Sequence, residues 1–135
     1  MIVLDTSALS AAFRRGKAAG EIAGVAATIR RMVAEDAPLG IPGIVLQELL
    51  SGVRSAEQFA RLERGLSGFP VLDAVREDHV AAARLSNRCR RAGISASAID
   101  CLIAALTLSV RGELLTLDND FARMAPHCGL RLFQK

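Results

Sequence analysis

Apolar and polar positions divide the chain into short buried strands and amphipathic helices. Residues 1–4 form a continuous apolar run with two β-branched side chains, which is typical of a parallel strand covered on both faces. Apolar residues then recur at helical spacing, in stretches separated by short apolar runs. We expect further strands at 39–42, 69–72, 114–116 and 129–133. We expect helices at 7–14, 22–36, 44–52, 56–66, 77–92 and 97–110, and one after Asp118 that continues through Met124.

The first strand ends in Asp5, which Thr6 and Ser7 follow. In open α/β sheets, ligands bind just beyond the carboxyl ends of the strands, so we expect Asp5 at the mouth of a site. Thr6 or Ser7 is the expected N-cap of the helix that comes next. A basic turn is predicted at 14–17, before the second helix.

Two further acids follow the strand predicted at 114–116. Thr116 ends that strand, and Asp118 and Asp120 come next, separated by one residue. Like Asp5, these acids follow a predicted strand, so we expect them near the same edge of the sheet. A purely structural role would also account for them, as an Asx turn that caps the following helix.

Asp100 and Glu48 lie in predicted helices. Ser97 and Asp100 have the spacing of a capping box with Asp in place of the usual Glu or Gln, and capping alone would explain Asp100. Glu48 shares a helical face with Ile44 and Val45, and an acid on the buried side of a helix is costly unless it is paired or binds a cation. The structural alternative is an exposed Glu48 on a helix with a wide apolar arc.

If these acids converge, they predict a cation site. Strand ends and helix starts meet at one edge of a doubly wound sheet, so such an edge would collect several carboxylates. Carboxylates a few ångströms apart raise one another's pKa, and a cation relieves their repulsion. Oxygen ligands without His or Cys favour Mg²⁺ or Mn²⁺. Such ions serve phosphoryl chemistry, because they lower the pKa of a bound water and offset charge on the scissile phosphate.

Composition narrows the possible classes of partner. The chain has 135 residues, of which 51% are hydrophobic and 23% charged, and this predicts one domain over residues 1–135. Trp and Tyr are absent and aromatic residues make up 4% of the chain, which argues against modules that bind single strands by base stacking. The net charge of +3 favours a polyanionic partner, although a charge of this size is also usual for a soluble protein.

The cysteine and apolar patterns predict a cytoplasmic protein. The three cysteines, Cys89, Cys101 and Cys128, form neither an even set nor a CxxC motif, which fits a reducing compartment. The apolar start lacks a basic leader and is interrupted by Asp5, so we expect no signal peptide. No apolar run approaches the ~20 residues that a membrane span requires, and we expect no membrane association.

Four motifs together resemble the PIN domain, and more narrowly the VapC toxins of bacterial and archaeal toxin–antitoxin pairs. They are MIVLDTS at the start, LQELLSG around Glu48, SAIDCLIAA around Asp100 and LLTLDNDF around Asp118. The resemblance spans essentially the whole chain. It implies a three-layer α/β/α fold with a mainly parallel five-stranded sheet. It also implies a Mg²⁺- or Mn²⁺-dependent endoribonuclease that hydrolyses single-stranded regions of RNA.

The resemblance further implies roles for individual residues. The acids that match the family's catalytic positions, which bind metal and activate water, are Asp5, Glu48, Asp100 and Asp118. The expected metal ligands among them are Asp5, Asp100 and Asp118. The hydroxyls expected to orient the acids are Thr6, Ser7 and Thr116, and Asp120 is expected to be an auxiliary acid.

The partners implied by the resemblance are RNA, a second copy of the chain in a homodimer, and a small VapB-like antitoxin. The antitoxin's C-terminal segment would enter the active site, in a groove formed by helices between about residues 20 and 66. Two alternative functions remain open at this stage: a non-catalytic PIN-like RNA-binding domain, and a phosphatase that uses Asp5 as nucleophile. The phosphatase is disfavoured because Ser7 occupies the place of the second acid of a DxD motif.

Overall fold

Seven helices and four strands alternate along residues 1–13 and 19–134, the parts of the chain that the computed structural model describes. The strands are β1 (Ile2–Leu4), β2 (Leu39–Pro42), β3 (Val71–Leu72) and β4 (Glu113–Leu115). The helices are α1 (Thr6–Ala12), α2 (Gly20–Ala34), α3 (Gly43–Leu50), α4 (Ala56–Leu66), α5 (Arg76–Arg91), α6 (Ala98–Ser109) and α7 (Asn119–Cys128). The basic turn predicted at 14–17 lies outside the described residues, as does the predicted last residue of the first helix.

The strands form a parallel sheet in the order β3-β2-β1-β4. Val3 of β1 pairs with Gly40 on one side and with Leu114 on the other. The chain runs outward from β1 to β3 and then returns to the opposite edge of β1. Because crossovers between parallel strands are right-handed, this reversal places α1–α4 on one face of the sheet and α5–α7 on the other. Helices accordingly pack within these two groups, and the result is a three-layer α/β/α arrangement.

The sheet has four strands in the described residues, one fewer than predicted. The tail predicted as a strand at 129–133 makes a single parallel bridge, between Leu114 and Leu132. The amide of Leu114 donates to the carbonyl of Arg131 at 2.9 Å, and the amide of Phe133 donates to that of Leu114 at 2.8 Å. Gly129, with a φ of 73°, ends α7 immediately before the tail, and the tail meets the three-residue β4 at one residue pair only.

The apolar strand residues form the centre of the core. Val3, Leu4, Ile41 and Leu114 are fully buried, as expected for parallel strands covered on both faces. The helical repeat in 56–66 predicts Phe59 on the inward face of α4, but this side chain is 38% exposed. Within the described residues, no helix combines the length and the apolar character that crossing a bilayer would need.

Candidate metal centre

The carboxyl ends of β1 and β4 lie side by side at the point where the chain reverses its direction across the sheet. The amide of Asp5 donates to the carbonyl of Leu115 at 3.3 Å, which joins the two strand ends directly. The helices that follow β1 and β4 lie on opposite faces of the sheet, so their first turns diverge from this point. A crevice at such a reversal is the usual ligand site of an open α/β sheet.

Asp5 is buried at this crevice, with 3% of its surface exposed. Its Oδ1 accepts hydrogen bonds from the amide of Ala8 at 2.9 Å and the hydroxyl of Ser7 at 2.8 Å. Its Oδ2 accepts from the hydroxyl of Thr116 at 2.5 Å. Asp5 is therefore the N-cap of α1, and the prediction of Thr6 or Ser7 as N-cap is wrong. The helix starts one residue early because the Asp5 carboxylate reaches the free amide of its first turn.

Ser7 and Thr116 connect this carboxylate to the loop after β4. The Ser7 hydroxyl accepts from the amide of Leu117 at 2.8 Å, and the Thr116 hydroxyl accepts from the amide of Asp118 at 2.9 Å. The two hydroxyl oxygens lie 3.3 Å apart. Each hydroxyl thus donates to Asp5 and accepts a loop amide, so the position of Asp118 depends on the position of Asp5.

Three further carboxylates meet beside this network. Asp100, Asp118 and Asp120 each offer an oxygen, and these oxygens lie within 4.8 Å of one another. Asp118 caps α7 by accepting from the amide of Asp120 at 2.9 Å, and Ser97 caps α6 by accepting from the amide of Asp100 at 3.0 Å. The Asx turn is confirmed, and so is the half of the predicted capping box in which Ser97 accepts the Asp100 amide; the reciprocal bond to the Asp100 side chain does not form in the described structure. Capping uses one Asp118 oxygen and no Asp100 oxygen, so it is compatible with binding a cation.

Glu48 reaches the same edge from α3, but it is exposed rather than buried. The hydroxyl of Thr6 donates to its Oε1 at 3.0 Å. Of the two interpretations that the sequence left open, the exposed Glu48 is confirmed and the acid on the buried side of its helix is wrong. Its charge nevertheless acts on the group, since it contributes to a raised pKa of Asp100.

The acids interact electrostatically as one group. Burial raises the pKa of Asp5, its hydrogen bonds to Thr116, Ala8 and Ser7 oppose this, and the charge of Asp118 adds to the increase. Burial also raises the pKa of Asp100, and the charges of Asp118, Asp120 and Glu48 add to it. Carboxylates that disfavour one another's ionised form in this way are stabilised when a cation joins them.

The donor set fits a hard divalent cation such as Mg²⁺ or Mn²⁺, because it consists of carboxylate oxygens within reach of one another. This group contains two of the predicted ligands, Asp100 and Asp118, together with Asp120, and the third predicted ligand, Asp5, lies near enough for the charge of Asp118 to raise its pKa. The Asp5 oxygens already accept three hydrogen bonds from the protein, and they lie deeper. The catalytic and metal-binding roles of all these residues stay predictions at this point.

Sequence reasoning missed one residue at this centre, Arg123. Its guanidinium forms an ion pair and hydrogen bond with Oδ1 of Asp120. The spacing of three residues on a predicted helix is the signal that could have found it, because such residues lie on the same helical face.

Comparison with known proteins places this geometry in a known context. The family model of the PIN domain matches residues 2–126. A chain of the crystal structure of FitAcB from Neisseria gonorrhoeae has a TM-score of 0.78 and 19% identity, over 99% of this chain and 97% of that one. A chain of VapBC2 from Rickettsia felis, bound to a DNA fragment from their promoter, has a TM-score of 0.77 and 22% sequence identity over 98% of both chains. A chain of DNA-bound VapBC from Salmonella typhimurium has a TM-score of 0.76 and 20% sequence identity, over 98% of this chain and 96% of that one.

Proposed function

The chain belongs to the PIN domain family, and we propose that it is a Mg²⁺- or Mn²⁺-dependent endoribonuclease that acts as the toxin of a toxin–antitoxin pair. The observation that carries this proposal is the group of carboxylate oxygens from Asp100, Asp118 and Asp120, within 4.8 Å of one another beside the buried Asp5. The sequence resemblance to VapC toxins supports the toxin role, and so does the similarity of the fold to chains of VapBC structures.

Asp100, Asp118 and Asp120 would hold the cation, with Asp5 as the deeper acid of the proposed set. When bound, a divalent cation offsets charge on the scissile phosphate and lowers the pKa of a water. The protein's own groups contribute orientation and proton transfer. Thr116 and Ser7 hold Asp5 and the Asp118 loop at fixed positions, so the carboxylates are arranged before the substrate arrives.

Glu48 is the acid best placed to receive a proton from the attacking water. It is exposed to solvent, and Thr6 holds one of its oxygens by a hydrogen bond. A general base must have a free lone pair within reach of the substrate, and the buried Asp5 does not meet this requirement. We therefore assign proton acceptance to Glu48 and positioning of the site to Asp5.

The same observations weigh against a phosphatase that uses Asp5 as nucleophile. A nucleophilic carboxylate needs an oxygen open to the phosphorus atom. Asp5 is 3% exposed, and both of its oxygens already accept hydrogen bonds. The other alternative is a non-catalytic RNA-binding domain with the same fold. Such a domain would bind RNA without cleaving it, so a cleavage assay distinguishes it from the proposed enzyme.

The decisive experiment measures cleavage of single-stranded RNA by the purified chain in Mg²⁺, in Mn²⁺ and in EDTA. We expect cleavage only with metal, and a loss of about 100-fold or more in Asp100→Asn and Asp118→Asn. The matched control is Asp36→Asn, which makes the same change at an exposed acid between α2 and β2, at the other end of the sheet. Equal cleavage by all three variants, or cleavage in EDTA, would contradict the proposal.

The proposed antitoxin is a small VapB-like protein. A cleft of about 340 Å³ opens next to the metal centre between α1 and α2, and Ser7, Ala11, Ile22 and Leu117 contribute to its lining. Of these residues, only Ile22 belongs to the stretch between about residues 20 and 66 that the resemblance assigns to the antitoxin groove, so the proposed groove would begin at this cleft. Expression of the chain in a bacterial host should arrest growth, and expression of Asp100→Asn should not. Normal growth with active nuclease would reject the toxin role while leaving the nuclease in place.

We also propose a cytoplasmic homodimer built from one domain over residues 1–135. A second cleft of about 370 Å³ lies between α5 and α6, and it is lined by apolar side chains that include Ile44, Ala82 and Ile99. Val80 and Ile99 are large apolar residues exposed near it. Light scattering should give a dimer mass for the purified chain and a monomer mass for Val80→Glu, which places a charge on this surface. A monomeric parent chain would contradict the dimer.

A further inference from the structure

Arg123 places a positive charge directly against the acidic group. It forms an ion pair with Asp120 three residues earlier on α7, and Asp120 shares the metal centre with Asp100 and Asp118. One other ion pair occurs between side chains of the described residues, Arg61 with Glu57 on α4. Of these two ion pairs, only the one formed by Arg123 involves an acid of the candidate metal centre.

The pair is exposed, which makes it easy to exchange. The side chain of Arg123 is 66% exposed and that of Asp120 is 42% exposed. Exposed ion pairs contribute little to stability, because solvent screens them and both side chains lose freedom. Arg123 can therefore leave Asp120 at small cost when another anion is offered or when Asp120 binds a stronger cation.

We propose that Arg123 exchanges its partner during the reaction cycle. It neutralises Asp120 while the centre lacks metal, and it binds a phosphate of the RNA once a divalent cation joins the carboxylates. This inference rests on the proposed nuclease function. Arg123 would leave Asp120 when the carboxylates hold a divalent cation, because the guanidinium and a bound cation with two positive charges would repel each other. The planar guanidinium fork then matches the two oxygens of a phosphate, which a cation at the same centre also attracts.

This exchange predicts opposite effects of one substitution on two kinds of binding. Arg123→Gln removes a positive charge that competes with the cation, so we expect Mn²⁺ affinity to increase by about 3- to 10-fold. It also removes a phosphate contact, so we expect RNA affinity to fall by about 3- to 10-fold. The slope of log affinity against log salt should become shallower by about 0.7, the value for one contact on a single strand.

The experiment measures Mn²⁺ binding by calorimetry on the metal-free chain, and binding of a labelled single-stranded RNA by fluorescence anisotropy in Ca²⁺. Arg61→Gln is the matched control, because it makes the same change at an exposed ion pair on α4 and should alter neither affinity. Arg123→Lys retains the charge without the fork. We expect its Mn²⁺ affinity to stay near that of the parent chain, and its RNA affinity to lie between those of the parent and Arg123→Gln.

Two results would overturn the exchange. Weaker Mn²⁺ binding in Arg123→Gln would mean that Arg123 holds Asp120 in place for the cation. Unchanged affinities for both Mn²⁺ and RNA would mean that the pair is only a surface contact. A parent chain that binds neither Mn²⁺ nor RNA would instead reject the proposed function, and with it the premise of this inference.

Discussion

The hydroxyl of Thr116 donates a 2.5 Å hydrogen bond to Oδ2 of Asp5, across 111 residues of sequence. This contact joins the ends of β1 and β4 at the reversal point of the sheet. The same hydroxyl oxygen accepts a hydrogen bond from the amide of Asp118, so it bonds both to the buried Asp5 and to the backbone of Asp118 in the carboxylate group. The arrangement of the site therefore depends on the contact between the two strand ends.

Thr116→Val tests this dependence, because it keeps the shape of the side chain and removes the hydroxyl. Asp5 loses a donor and the Asp118 amide loses an acceptor, so we expect a loss of about 1–3 kcal/mol in the free energy of unfolding. Cleavage should fall by about 10- to 100-fold, the usual effect of removing a group that orients metal ligands. Thermal unfolding and RNA cleavage measure the two effects.

The control for this substitution is Thr28→Val on α2. The Thr28 hydroxyl donates to the carbonyl of Gly24 in its own helix, at 2.9 Å. Its loss should change the free energy of unfolding by less than about 0.5 kcal/mol. If Thr116→Val behaves like Thr28→Val in both assays, Thr116 does not position the acids.

Glu48→Gln should separate activity from stability. Glu48 is exposed, so the neutral side chain should leave the melting temperature within about 1 °C of the parent value. Gln cannot accept a proton from water, so cleavage should fall by about 100-fold or more. Glu57→Gln, which breaks the surface pair with Arg61, should change neither quantity appreciably. A cleavage rate for Glu48→Gln equal to that of Glu57→Gln would remove Glu48 from the reaction.

Asp100→Asn should stabilise the metal-free protein at neutral pH. Burial and the neighbouring acids raise the pKa of Asp100 above its ordinary value of 3.8, so its ionised form is less favourable in the folded chain. The stability linked to this group is present at pH values below 3.8 and is lost as the pH rises through the folded-state pKa. Because Asp100 is partly open to solvent, Asp100→Asn should raise the free energy of unfolding only modestly, by about 0.5 kcal/mol.

Unfolding in EDTA as a function of pH measures this effect. The melting temperature of Asp100→Asn should exceed that of the parent chain near neutral pH, and the two should converge toward acidic pH. Added Mg²⁺ should raise the melting temperature of the parent chain more than that of the variant, because binding to the folded state stabilises it. A variant that is less stable than the parent in EDTA at neutral pH would show that the acids do not repel one another.

Gly112→Ala should disturb the contact between β1 and β4. A Cβ at Gly112 would lie 2.8 Å from the carbonyl oxygen of Met1, which is backbone and cannot easily move aside. That carbonyl accepts the amide of Glu113 at 3.1 Å, so relief of the clash would weaken the strand pairing. We expect a loss of about 1–3 kcal/mol in the free energy of unfolding, together with lower cleavage.

Gly24→Ala provides the contrast, because a Cβ there meets nothing within 4 Å and Gly24 lies inside α2. It should stabilise the chain by about 0.5–1 kcal/mol and leave cleavage unchanged. Equal unfolding free energies for the two variants would show that the close approach of Gly112 to Met1 does not contribute to the stability of the fold.

The sequence by itself determined the elements and the positions of the acids within them. β2 and α4 have the predicted bounds, because a short apolar run beside Pro42 and a helical repeat from Ala56 are local signals. Asp5 and Asp118 were expected at strand ends for the same reason. Parallel strands bring their carboxyl ends to one edge, so this part of the site follows from local pattern and strand direction.

Only the tertiary structure decided how the elements combine. It made the tail a single bridge rather than a fifth strand, since the tail meets the three-residue β4 only at Leu114 and Leu132. It placed Glu48 in solvent, since the face of α3 that carries this acid opens onto the crevice. It also brought Asp120 into the carboxylate group and Arg123 against it. These outcomes depend on distances between residues far apart in the chain, and the apolar pattern of one segment carries no information about them.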